Sequence, residues 1–333
     1  MTNVESKQTC LLTPEHIRKN MIVHHQDDGG VLQTYQDGDG SVSSVVYRLF
    51  PGVALIRKDV NRLCFLSNWR KKPERGFVIE HCWRGRMECQ EGQACLYPAP
   101  GDVIIYRTDY AARKLQFPLG YFHSIAVSVN LDELSPELAA HLHDADFSMD
   151  ELIQTYRLKD HFYCILKNTA PIVRIFEDIH NAPESVKLAY WKLKVVEMLV
   201  LLYADVSQVN ERPERRISNA QAAVAKAARQ HLLNHPYERI TIDELAERFS
   251  VSASYLKEGF RVVYGTSIKR FDREHKMQVA AQFLRETHQQ VGDIARQFGY
   301  VNTSKFSSAF QAVHGKNPME YRENHQQCHT DIQ

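Results

Sequence analysis

Apolar residues recur at helical spacing twice in the last third of the chain, and each time two short stripes flank a tight turn. In residues 240–265, Ile242, Leu245, Ala246 and Phe249 fall at i, i+3, i+4 and i+7, which predicts one inward helical face. Thr241 and Glu244 form a T-x-x-E capping box at its start. Ser250-Val251 is the expected turn and Ser252 the next N-cap. Leu256, Phe260 and Val263 carry the second stripe, which Gly265 closes. Residues 291–315 repeat the device: Val291, Ile294, Ala295 and Phe298 face inward, Gly299 falls where a positive φ is needed, and Phe306, Phe310 and Val313 anchor the second helix. Between the copies, Met277, Ala280, Ala281 and Leu284 form one stripe that Phe271 extends, predicting a connecting helix over 268–287. A helix of about 18 residues is about 27 Å long. It suits two recognition helices set one DNA turn, ~34 Å, apart. The pattern predicts two helix-turn-helix units.

Upstream the periodicity changes. Val45–Leu49, Val53–Arg57, Cys64–Trp69, Gly76–Trp83, Arg86–Gln90, Ala94–Tyr97, Val103–Arg107 and Tyr121–Val129 read as short strands broken by Gly and Pro, without helices between them. Such spacing predicts a barrel or sandwich. Residues 1–45 are weakly patterned, with Asp27-Asp28-Gly29-Gly30 and Asp37-Gly38-Asp39-Gly40 as turns; the second lacks the remaining ligands of a calcium loop. Residues 131–205 read as helical. Leu152-Ile153 and Ile165-Leu166 are assigned to shorter helices, and Leu188, Trp191 (or Lys192), Val195, Met198, Leu199 and Leu202 to a longer one from Ser185 to Asp205, with one face for the barrel and the other either for a second subunit or for packing within the monomer. The polar stretch 206–219, with Pro213, reads as a linker. The expected fold is therefore α+β in two domains. A flexible lead or first turns (1–45) come before a sensing and dimerisation domain (46–205: a cupin-like β-barrel at 46–130, then helices at 131–205). After the linker come an all-α double helix-turn-helix at 220–325 and a tail at 326–333.

Charge sharpens this picture. The 333 residues carry a net charge of only +1. Residues 221–325, however, hold 15 Lys+Arg against 11 Asp+Glu, while residues 1–220 hold 26 against 28. The basic excess lies where the reading helices lie, and its modest size implies few phosphate contacts per protomer and reliance on base contacts or on two subunits. With 44% hydrophobic residues and no apolar run of about 18, no membrane span is expected. The polar N-terminus MTNVESKQTC predicts no signal peptide, and hence a cytoplasmic protein. Cys10, Cys64, Cys82, Cys89, Cys95, Cys164 and Cys328 form no C-x-x-C pair, so reduced thiols are expected; Cys82, Cys89 and Cys95 are candidates for oxidant sensing only if neighbouring strands bring them together.

The double device resembles the DNA-binding domain of the AraC/XylS family of bacterial transcription regulators. The residues that carry the likeness are Arg273 to Leu284 in the connecting helix, Ile294-Ala295 with Gly299-Tyr300, and Phe306, Phe310, Gly315, Pro318 and Tyr321-Arg322. Pro100-Gly101-Asp102-Val103 resembles the P-G-D turn of cupin barrels, which serve many sensor domains of that family. Residues 117–134 and the helices after them resemble the branch that includes siderophore-responsive regulators. The resemblance implies a regulator of transcription, an activator responsive to a small effector, with double-stranded DNA, RNA polymerase and a second copy of itself as partners. It implies neither an enzyme nor a cofactor. Two positions depart from the family: Glu258 and Ser308 stand where a basic residue is common, so base preference does not carry over.

The candidate DNA-contacting residues are Ala253, Ser254, Lys257, Glu258 and Arg261 in the first recognition helix, and Thr303, Ser304, Lys305, Ser307 and Ser308 in the second. Ser and Thr reach phosphate or base edges, Lys donates to guanine, and a carboxylate accepts from cytosine N4. Arg212, Arg215 and Arg216 in the linker are either phosphate contacts or solvated charge. For the effector, Trp69, Trp83, Tyr97, Tyr106, Tyr121 and His123 are candidates, being amphipathic residues among aliphatics, with core or hairpin packing as the alternative; Arg86, with Arg84 beside the Gly85 turn, is a candidate for gripping an anionic effector, with a solvated hairpin tip as the alternative. No metal is expected in the barrel, because His81 and His123 stand outside any H-x-H, and His141-Leu142-His143 falls on an expected helix whose i and i+2 positions diverge. A fused alkyl-transfer repair enzyme would need a reactive Cys in P-C-H-R, which is absent. A DNA-binding protein signalled through a protein partner remains the competing reading.

Overall fold

The computed structural model describes residues 13–67, 75–108, 113–136, 138, 154, 163–166, 169–204 and 216–330. They form two compact units that divide between Ser218 and Asn219. No helix among the described residues is long and apolar enough to cross a membrane.

The first unit is built on antiparallel strands. Helix α1 (Pro14–Asn20) opens it, with the Thr13 hydroxyl accepting from the His16 amide, and the strands β1 (Ile22–His25), β2 (Val31–Asp37), β3 (Gly40–Phe50) and β4 (Val53–Asn61) follow as a meander. The stretch expected to be a lead thus contributes a helix, two strands and the start of a third. Its alternation is weak because both faces of β2 and of the first part of β3 are for the most part only half-buried. The turn at 37–40 joins β2 to β3, and the Asp37 carboxylate is taken by the Tyr35 hydroxyl and Arg62.

Next come β5 (Cys64–Ser67), β6 (Gly76–Gly85), β7 (Cys89–Glu91), β8 (Ala94–Leu96), β9 (Val103–Arg107), β10 (Arg113–Gln116), β11 (Phe122–Asn130) and β12 (Tyr163–Ile165). Eight strands pair in the order β1-β2-β3-β4-β11-β6-β9-β12. That ladder is open among the described residues: β5 and β10 pair separately, as do β7, β8 and β13 (Arg216–Ser218), so the expected cupin-like barrel is not realised as a closed ring. The region is an extensive antiparallel sheet. The turn at Pro100–Asp102 feeds β9 as expected; Gly101 has φ +85° and the buried Asp102 carboxylate accepts from the Ala99 amide.

Residues Tyr163 to Leu166 correct the sequence reading. Ile165 belongs to a strand that pairs with β9, and the Leu166 amide donates to Val103. All four residues are buried, and a continuous apolar run suits a strand covered on both faces as well as it suits a helix. Leu152-Ile153 and His141-Leu142-His143 lie outside the described residues. Helices α2 (Ala170–His180) and α3 (Lys187–Ala204) cover one face of the sheet. Trp191, Val195, Met198, Leu199 and Leu202 are the buried stripe of α3, with the Trp191 indole donating to the Ile179 carbonyl at 2.8 Å. Leu188, expected in that stripe, is 40% exposed. The other face of the sheet packs Tyr35, Phe65, Cys82, Cys89, Ile104 and Phe122 into a second core.

The linker's last residues are ordered. Strand β13 pairs with β8, and Arg216 forms an ion pair with Glu91 at 3.1 Å; Arg212 and Arg215 lie outside the described residues.

The second unit is entirely helical: α4 (Asn219–Asn234), α5 (Ile242–Arg248), α6 (Ala253–Tyr264), α7 (Ile268–Glu286), α8 (Val291–Gln297), α9 (Thr303–His314) and α10 (Pro318–Thr330).

Candidate nucleic-acid interface and effector cavity

The Thr241–Glu244 capping box is complete. The hydroxyl accepts from the Glu244 amide and the Glu244 carboxylate accepts from the Thr241 amide at 2.7 Å, which holds its carboxyl below the usual range. Helix α5 ends in a Schellman motif, with the Ser250 amide bonded to the Glu247 carbonyl and the Val251 amide to the Ala246 carbonyl. That motif needs a residue in the left-handed region, and Ser250 supplies it at φ +55°. Ser252 caps α6 by accepting from the Tyr255 amide, and Gly265 closes α6 at φ +71°. Helix α6 is drawn against α4 at Gly259, where a Cβ would come within 2.8 Å of Gln221 Cγ. Gln221 Nε2 in turn donates to the Tyr255 carbonyl at 3.0 Å.

The second copy uses the same bonds. The Gly299 amide donates to the Arg296 carbonyl and the Tyr300 amide to the Ala295 carbonyl. Gly299 has φ +81°, and a side chain there would run into Arg239. Asn302 is the N-cap of α9, its side chain accepting from the Ser304 and Lys305 amides, and Gly315 closes that helix. Met277, Ala280, Ala281 and Leu284 of α7 meet Ile294, Ala295, Phe298, Phe306 and Phe310 in one buried cluster. The connecting helix is thus the core element of the second copy. It also touches α6, and at 19 residues it is about 28 Å long.

With these stripes buried, the remaining faces of α6 and α9 point outward. Ser254, Lys257, Glu258 and Arg261 are exposed and Ala253 is partly so; Thr303, Ser304, Lys305 and Ser308 are exposed and Ser307 is partly so. Every DNA-contact candidate therefore lies on or at the edge of an exposed helix face. Lys257, Glu258, Arg261 and Lys305 hold their charged head groups at the exposed surface of the second unit. Val301, just before the Asn302 N-cap of α9, is 89% exposed.

In the first unit, the second core surrounds a cavity of 250 Å³. Aliphatic and aromatic residues from β3, β4, β6 and β11 line most of it, among them Val46, Ile56, Val78 and Phe122. Gln33, Ser44, Thr108 and Ser128 also line it, and one buried corner is strongly polar. Glu80, 1% exposed, accepts from Lys58 Nζ at 2.9 Å, Tyr106 OH at 2.7 Å and Ser124 Oγ at 2.5 Å. Lys58 Nζ also lies 3.2 Å from Tyr106 OH. The ammonium is neutralised by a carboxylate inside the wall and retains one N–H beyond these two bonds.

Of the effector candidates, Tyr106 lines this cavity. Trp83 stacks on His180 at 4.4 Å between centroids. Arg86 is 7% exposed and so is no solvated hairpin tip. Tyr97 is buried and donates to Glu88 at 2.5 Å, Tyr121 is 41% exposed, and His123 pairs with Asp59 at 2.5 Å. None of these five lines the cavity, and Trp69 lies outside the described residues. Lys58 and Glu80 were missed. Their signal was a charge at an inward position of an apolar strand, as in Phe77-Val78-Ile79-Glu80. Cys82, Cys89 and Cys95 are buried as free thiols, and burial first, then nearby carboxylates, pushes the Cys89 thiol up, the opposite of what a reactive cysteine needs.

A family profile described as "Helix-turn-helix domain" matches residues 245–324, which span both copies. The regulatory protein SoxS of Salmonella typhimurium is 32% identical over 88 residues, covering 26% of this chain and 82% of SoxS. The chain belongs to the AraC/XylS family. An AraC-like transcription regulator of Streptomyces antibioticus is 26% identical over 45% of this chain and 50% of its own length. The HTH-type regulator YtdP of Bacillus subtilis is 28% identical over 35% of this chain, which spans only 14% of that larger protein. Among solved structures, the C-terminal domain of AraT from Geobacillus stearothermophilus is 29% identical and covers 30% of this chain and 84% of its own, with a TM-score of 0.30; at that score the likeness carries no argument.

The AraC/XylS residues of this chain have visible jobs. Arg322 donates to the Leu284 carbonyl at 3.3 Å and the Gln289 carbonyl at 2.7 Å, satisfying the open C-terminal end of α7. Tyr321 packs edge-on against Phe310 and its hydroxyl accepts from Arg285. Pro318 begins α10, where its missing N–H costs nothing.

Proposed function

We propose that this chain is a sequence-specific, effector-responsive activator of transcription that acts in the cytoplasm as a homodimer, with RNA polymerase as its protein partner. The observation that carries the reading is the repeated turn. Two Schellman-closed helices each aim a capped helix whose inward stripe is buried and whose outward face is polar and exposed, with Ser and Thr beside Lys. Short Ser and Thr side chains let the helix approach base edges closely, while Lys257 and Lys305 reach guanine or phosphate.

The effector enters the argument through the cavity of the first unit. An apolar lining with one polar corner suits a small amphipathic molecule. Because Lys58 is already neutralised by Glu80, its remaining N–H suits an uncharged acceptor such as a carbonyl or hydroxyl. A packed core without space would have favoured a protein signalled only through a partner. The exposed Leu188 and Leu193 of α3, at 40% and 70%, suit a second copy of the chain.

The test is selection of bound sequences from random DNA by the purified full-length protein at fixed salt. Enrichment of one motif with two half-elements about one helical turn apart supports the proposal. Uniform recovery overturns it.

A further inference from the structure

The second unit holds a group of side chains that the DNA-binding reading leaves unused. His231 and His235 sit one helical turn apart at the end of α4, and Glu238 lies in the turn that follows. Their ligating atoms lie within 4.8 Å of one another. The His235 amide donates to the His231 carbonyl at 3.1 Å as the helix ends, and the Glu238 amide closes the following turn on the His235 carbonyl at 3.1 Å. An i, i+4 pair of imidazoles on one face followed by a carboxylate is the donor set that suits zinc and its neighbours in the first transition row.

A second observation concerns orientation. His235 Nδ1 lies 2.9 Å from the His231 carbonyl, so Nδ1–H donates to the backbone and Nε2 keeps its lone pair. A ligating histidine is held by just this kind of bond. The Glu238 carbonyl accepts from Lys276 Nζ at 3.0 Å, and Lys276 is itself anchored by Asp272 at 2.8 Å, so helix α7 fixes the turn that carries the carboxylate.

At present a cation from the protein occupies the group. The Arg248 guanidinium lies 3.0 Å from His231 Nδ1, 3.1 Å from His231 Nε2 and 3.4 Å from Glu238 Oε1. His231 Nε2 lies 2.8 Å from Glu238 Oε2. The arginine side chain is 48% exposed and His235 is exposed, so the arginine can swing away and leave the group open to solvent without opening the core.

We propose that His231, His235 and Glu238 bind a divalent transition-metal ion, zinc being the best fit, which displaces Arg248. The ion joins the end of α4 to the turn that α7 holds, and it frees a guanidinium at the C-terminal end of α5, beside the first helix-turn-helix turn. Three protein ligands leave one tetrahedral position for water. Displacing a guanidinium costs affinity, so the Arg248→Gln variant binds zinc about tenfold more tightly.

The experiment uses untagged full-length protein stripped with a chelator, titrated with zinc chloride by calorimetry in reducing buffer and followed by cobalt absorption. The chain also carries seven cysteines among its possible ligands, so the readout is the difference between proteins. His235→Ala and Glu238→Gln, both compared with wild type by circular dichroism, are expected to bind one equivalent less than wild type, and zinc is expected to raise the melting temperature of wild type more than that of either variant. Equal stoichiometry in wild type and both variants overturns the proposal, as does tightening by neither zinc nor cobalt in Arg248→Gln. Random-DNA selection reads a different property, so failure here leaves the DNA-binding reading standing.

Discussion

Ser250 and Gly299 occupy the same place in the two turns, and exchanging their residue types tests the repeated geometry. Both sit one residue past the helix C-cap with positive φ, +55° and +81°. A non-glycine residue in the left-handed region costs about 1–2 kcal/mol. Ser250→Gly therefore stabilises the second unit by about 1 kcal/mol, after allowing for the larger entropy glycine has to lose. Gly299→Ala pays that backbone cost in the other direction. It also sets a Cβ 3.0 Å from Arg239 Cγ and closer still to Nε, so the arginine has to move and the loss is about 2–3 kcal/mol. For a unit of this size about 1 kcal/mol corresponds to roughly 3–6 °C. Scanning calorimetry of full-length protein reads the shift in the transition that belongs to the second unit. The expected order of melting is Ser250→Gly, wild type, Gly299→Ala. A Gly299→Ala transition at or above wild type would refute the claim that the two turns share one strained conformation.

Three further outcomes follow from the same structure. Lys257→Ala or Lys305→Ala weakens binding to the selected DNA by about 1–3 kcal/mol if the lysine reads a base; a salt-controlled gel shift unchanged for both would remove them from the interface. Phe310, fully buried between Phe306 and Tyr321, costs about 3–5 kcal/mol when truncated to Ala, and a wild-type melting curve would contradict its place in the core. His81 is 3% exposed with neither ring nitrogen bonded, and burial lowers its pKa to about 4 from 6.5. The unfolded chain binds that proton first, so the stability present above pH 6.5 is lost as pH falls towards 4, by about 3 kcal/mol. His81→Leu is expected to flatten this part of the pH profile of the first unit in urea melts and to cost no stability at pH 7; an unchanged profile would show that His81 is not the group responsible.

The second unit was legible in the sequence because its signals are local. Capping residues, a 3.6-residue period and Gly299 each act within one or two turns, and the observed helices follow them. Ser250 was legible as a turn, but its positive φ was not, since nothing in the residue type requires it. The first unit depends on contacts distant in sequence. Ile165 was assigned to a helix because an apolar run of four has no distinguishing period, and only pairing with Val103–Arg107 decides it. The strands before residue 45 were hidden by their half-buried faces. The expected barrel followed strand spacing, which does not specify whether the two edge strands meet. The cavity's polar corner needed strands β4, β6, β9 and β11 brought side by side before Lys58, Glu80, Tyr106 and Ser124 could be seen as one group. The histidine pair at 231 and 235 was present as an i, i+4 spacing, but its carboxylate partner lies beyond the helix, where periodicity has no say.

The measurement that tests the central claim most directly is genome-wide recovery of DNA cross-linked to the tagged protein in its own host, with the Lys257→Ala, Lys305→Ala double variant as the control. A small number of sharp peaks sharing one motif, lost in the double variant, is the predicted result. Diffuse occupancy, or peaks that persist unchanged in the double variant, would contradict the claim that α6 and α9 read sequence.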